Sequence, residues 1–141
     1  MAEVFAGFVA GYVLALLSTP VLAFVLLRLR AEGGLFGRLL PAGVSAISVG
    51  VLVHGALFVF WTGLGIVLGL VLLAMRDASG AVGSRNGAFS LFVAALALAL
   101  VAPLVVLLPA FRRLVLAGAL LVVLVFGWLM PYLAEWSSFE S

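Results

Sequence analysis

Four uninterrupted apolar runs, roughly Val4–Leu27, Val44–Met75, Ala88–Phe111 and Leu114–Leu133, make up most of this 141-residue chain. Each is long enough to cross ~30 Å of hydrocarbon as a helix, which takes about 20 residues. Lipid offers no partners for backbone amides, so a run of that length satisfies them within itself as an α-helix. The runs hold one histidine and no carboxylate, and the charged residues fall in the gaps and at the ends. The pattern predicts an all-α integral membrane protein: a four-transmembrane-helix bundle forming one four-span membrane domain over residues 1–141.

Composition agrees. Hydrophobic residues make up 67% of the chain and charged residues 9%, against about a quarter charged in a soluble domain. The gaps between runs leave no room for a soluble catalytic module. The first run reads as a retained span rather than a signal peptide. Glu3 and no basic residue precede it, and Arg28 and Arg30 follow it. With no cysteine, disulfide, thiolate and cysteine-metal chemistry are excluded. Seven scattered arginines without a lysine make no nucleic-acid footprint; they read as topology signals.

The first gap carries Arg28, Arg30 and Arg38 with Glu32, and the third carries Arg112 and Arg113. The second gap carries Arg76, Asp77 and Arg85, and shares its side with Glu3, Glu135 and Glu140. The positive-inside rule then places both termini outside and the Arg28–Arg38 and Arg112–Arg113 loops in the cytoplasm. The expected location is a bacterial or archaeal inner membrane. Phe5, Phe8, Tyr12, Trp128, Tyr132, Trp136 and Phe139 gather near the outer ends of spans one and four, as an interfacial belt would.

The turn Pro109–Arg113 is very short and predicts an antiparallel hairpin of spans three and four. Arg76–Gly87 reads as a flexible outer loop, without the strand or the Lys-Ser/Thr pair of a phosphate-binding loop. In Glu32–Pro41, Leu35, Phe36, Leu39 and Leu40 flank Arg38, as in a short interfacial amphipathic segment or an ordinary loop. The second run would be ~48 Å long as one helix. Its first turns, Val44–Val49, are expected to project into the headgroups, leaving Gly50–Leu73 embedded.

His54 is the one ionisable group in the spans, with Trp61 two turns on along the same face and Thr62 beside it. Such a group is a candidate for gating or ligand binding; the alternative is an imidazole hydrogen-bonded to a neighbouring helix. Gly7-x-x-x-Gly11, Gly65-x-x-x-Gly69 and Ala95-x-x-x-Ala99 are helix-packing candidates, because small residues four apart let backbones approach. Pro20 and Pro103 are expected helix kinks, with the Ser18 and Thr19 hydroxyls placed to satisfy the carbonyls that Pro20 frees. Arg28, Arg30, Arg38, Arg112 and Arg113 are candidates for attracting anionic lipid.

General acid–base catalysis needs a positioned titrating pair, and the spans offer one imidazole without a carboxylate. The sequence therefore points away from an enzyme, a cofactor or a metal site, and towards lipid, another membrane protein or a copy of itself as partners. Two functions remain. One is a non-catalytic subunit or assembly partner that packs small-residue helix faces against another membrane protein. The other is a small homo-oligomeric channel or carrier for a neutral or apolar solute, with His54 near the cytoplasmic mouth.

Overall fold

A computed structural model of the chain describes residues 1–32, 43–79, 87–107 and 111–138. The described elements are all helical, and four stretches are long and apolar enough to cross a membrane: Ala2–Ala31, Ala46–Asp77, Gly87–Val106 and Arg112–Trp136. The elements are α1 (Ala2–Ala31), α2 (Ala46–Ser79), α3 (Gly87–Leu107) and α4 (Arg112–Leu124). A π-helical turn, Val125–Leu129, then joins α4 to α5 (Met130–Ser138), so that α4, the turn and α5 form the fourth span. The protein is thus an integral membrane four-helix bundle.

The helices overrun the apolar runs, and that corrects the boundaries read from sequence. α1 takes in Glu3, Arg28 and Arg30, and α2 takes in Arg76–Ser79, so the expected outer loop does not begin at Arg76. α2 starts at Ala46 because Ser45 caps it, its Oγ accepting the Ser48 backbone N–H at 3.1 Å. α3 is described as far as Leu107.

The fourth span bears the clearest local signature. Pro131 has no N–H to offer the Gly127 carbonyl and crowds that carbonyl with its ring. The backbone answers with the π turn over Val125–Leu129, in which the Met130 N–H reaches the Val125 carbonyl. The Ser90 hydroxyl of α3 donates to the Gly127 carbonyl at 2.6 Å.

α1 packs along α2, and α3 packs along the fourth span; the two hairpins meet where α1 lies against Val125–Ser138. The core sits at this junction: Ala10, Leu14, Leu72, Phe89, Phe126, Met130 and Ala134 are buried there. Towards the other end the hairpins part. α4 has no buried residue, and neither do residues 98–106 of α3. Among the described residues at that end, Val49 and Val53 of α2 are the buried ones.

Candidate functional site

The α1–α2 crossing rests on four glycines. A methyl group on Gly7 would overlap the Gly65 carbonyl, one on Gly11 the Trp61 carbonyl, and one on Gly69 the backbone of Glu3 and Val4. Backbone therefore lies on backbone, which only glycine at these four positions permits. Ala95 and Ala99 do not join this packing: both are exposed on α3.

Two hydrogen-bonded links join the same helices further along. Thr19 donates to the Ala15 carbonyl at 2.6 Å, so its oxygen accepts from His54 Nδ1 at 2.9 Å. Ser18 donates to the Leu14 carbonyl at 2.6 Å and accepts the Trp61 indole N–H at 3.1 Å. The hydroxyls thus serve the Leu14 and Ala15 carbonyls. The carbonyl that Pro20 leaves without its i+4 donor is Leu16's, so the expected compensation is corrected. His54 and Trp61 share a face, and that face addresses α1. Thr62 is buried, and its hydroxyl donates within its own helix to the Phe58 carbonyl at 2.6 Å. Pro20 and Pro103 both lie inside continuous helices.

Sequence reasoning missed a charged cluster at the end that holds the N-terminus. Arg76 Nη1 donates to Glu3 Oε1 at 2.9 Å, and Arg76 Nη2 lies 3.8 Å from Glu135 Oε1. The three side chains are 15%, 12% and 24% exposed. One guanidinium therefore ties the start of α1, the end of α2 and α5 together. Its signal was available: these charges of opposite sign all fall on one side of the expected topology. Asp77, the neighbour of Arg76, is exposed.

At the opposite end Arg28 pairs with Glu32 at 3.4 Å, and Arg30 donates to the Val44 carbonyl at 2.8 Å. Arg112 and Arg113 are exposed; Arg38 and the Leu35–Leu40 segment lie outside the described residues. Where the hairpins part, a cleft of about 320 Å³ opens between α2, α3 and α4. Phe60, Trp61 and Leu64 line one wall, Leu100 and Leu104 another, and Val115, Gly118 and Ala119 the third. Trp61 carries the one polar side-chain atom among these residues, and that atom is bonded to Ser18.

On the outer face Trp128, Tyr132 and Trp136 form an exposed stripe, with Trp128 stacked on Tyr132 at 6.2 Å between ring centroids. Amphipathic rings in such a row suit the headgroup region of a bilayer. Among the described residues no group of three or more potential metal ligands gathers. Comparison with protein-family models, with curated proteins and with solved structures finds no match to this chain.

Proposed function

We propose that this protein is a non-catalytic membrane subunit or assembly partner that sets the outward face of α3 against another membrane protein. One observation carries the reading. The glycine pairs of α1 and α2 are engaged with each other inside the bundle, whereas Ala95, Ala99 and Ala102 lie exposed along α3. At 100° per residue those alanines fall on the side of α3 opposite Val93, Ala97 and Leu100, which line the cleft. Lipid gives helices little reason to hide apolar surface, so close approach over small residues drives association there.

The remaining chemistry supports the same reading. Glu3 and Glu135 are both engaged by Arg76 in one cluster, and His54 is engaged by a threonine rather than a carboxylate. His54 Nδ1 and Trp61 Nε1 turn towards α1, which weighs against a solute path anchored on them. A photo-crosslinking residue placed at Ala99 in the host membrane tests the proposal. Adducts with a different membrane protein are expected, and they should weaken when Ala95 becomes Leu. Adducts with lipid or with this chain alone would overturn it.

The orientation belongs to the same proposal: termini outside, with Arg28, Arg30, Arg112 and Arg113 at the cytoplasmic surface. Because the chain has no cysteine, single introduced cysteines report it directly. An impermeant maleimide should label Asp77→Cys in intact cells and leave Gly43→Cys unlabelled until lysis. The reverse pattern would invert the topology.

A further inference from the structure

We infer that the cleft between α2, α3 and α4 holds one acyl chain of an anionic phospholipid, whose headgroup rests on Arg112 and Arg113. Shape, polarity and charge each contribute. The cleft, at about 320 Å³, falls at the lower end of the ~300–1,000 Å³ typical of ligand pockets. Its lining is hydrocarbon, and Leu104 at its rim is exposed, so a chain can enter sideways from the bilayer without crossing a polar barrier.

Register on α4 connects the cleft to the arginines. Val115, Ala119, Val122 and Phe126 face it, at the 3-4 spacing of one helical stripe. Arg112 continues that stripe one turn beyond Val115. A chain lying against Ala119 and Val115 therefore delivers its headgroup to Arg112, with Arg113 adjacent. Among the described residues at this end the one carboxylate is Glu32, which Arg28 already pairs. A phosphate-bearing headgroup meets positive charge there, and each arginine near an anionic surface adds attraction. This inference concerns the face of α3 opposite Ala95 and Ala99, so it stands apart from the proposed function.

The test uses the whole protein, delipidated in mild detergent and titrated with phosphatidylglycerol or with phosphatidylcholine of the same chains, read by native mass spectrometry. One phosphatidylglycerol per chain is expected, bound about fivefold or more tighter than phosphatidylcholine. Replacing both Arg112 and Arg113 by Gln should remove that preference. Gly118→Leu should abolish retention of either lipid, because Gly118 lines the cleft and a side chain there meets open space rather than backbone. Gly63→Leu, also in open space but off the cleft, should retain lipid as the parent does. Ala119→Phe is a second filling variant, used if Gly118→Leu lowers thermal stability. Equal binding of the two lipids, unchanged retention in the filled cleft, or a foreign helix crosslinked to Gly118→Cys would each overturn the inference.

Discussion

Ser90 donates its hydroxyl to the Gly127 carbonyl at 2.6 Å, and that carbonyl is the one whose helical partner would have been the missing N–H of Pro131. A proline in one span and a serine in another therefore form one device. Inter-helix hydrogen bonds in membranes contribute about 0.6 kcal/mol on average and up to ~1.7, and an acceptor left short of partners sits at the upper end. Ser90→Ala is expected to cost about 1 kcal/mol in a detergent unfolding titration. In a Pro131→Ala background, which restores the backbone donor, the same change should cost close to nothing. Equal losses in the two backgrounds would break the link between Ser90 and Pro131.

Two glycines two residues apart on α2 should respond with opposite signs. A methyl on Gly65 meets the Gly7 backbone, whereas one on Gly63 meets nothing within 4 Å. Gly65→Ala must push the helices apart, at about 2–3 kcal/mol by analogy with overpacked cores. Gly63→Ala should stabilise by about 0.5–1 kcal/mol, because alanine has less backbone freedom to lose in a helix. The same unfolding titration reads both, and a similar loss at the two positions would contradict the backbone crossing.

Arg76 is the hub of the charged cluster. Arg76→Met removes the guanidinium that Glu3 and Glu135 share, while Glu3 keeps the N-terminal ammonium at 3.4 Å. Breaking a fully buried pair costs about 3–5 kcal/mol, and this partly exposed one should cost less, about 1–3 kcal/mol. Adding Glu3→Gln and Glu135→Gln to that variant removes the two carboxylates that the guanidinium had balanced and should recover most of the loss. If the triple variant is no more stable than Arg76→Met, the arginine acts by packing and not by charge.

The Thr19–His54 contact at 2.9 Å makes a quantitative claim of its own. A double-mutant cycle of Thr19→Val and His54→Ala should give a coupling of about 0.6 kcal/mol, the average for hydrogen bonds between membrane helices, and no more than ~1.7. Zero coupling would free the imidazole from α1 and reopen His54 as a gating group.

Legibility in the sequence followed the range of each interaction. The spans could be read because lipid imposes length and hydropathy on every turn. The packing of Gly7, Gly11, Gly65 and Gly69 could be read because close approach demands small residues four apart. The seven-residue spacing of His54 and Trp61 put them on one face, but only the fold pairs that face with Ser18 and Thr19. Arg76 was hidden because α2 runs past the end of its apolar stretch to Ser79, so a residue read as loop became a half-buried helical one. The π turn was hidden because Pro131 announces a missing donor without naming Ser90 as its replacement. The cleft has no sequence signal, since it arises where two hairpins fail to touch.

The proposed role is tested most directly by native mass spectrometry of the protein released gently from its own host membrane. This account predicts co-extraction with a different membrane protein in fixed ratio, lost when Ala95 and Ala99 are both changed to Leu on a bundle of unaltered stability. A homogeneous self-assembly of constant copy number, indifferent to those two changes, would contradict it.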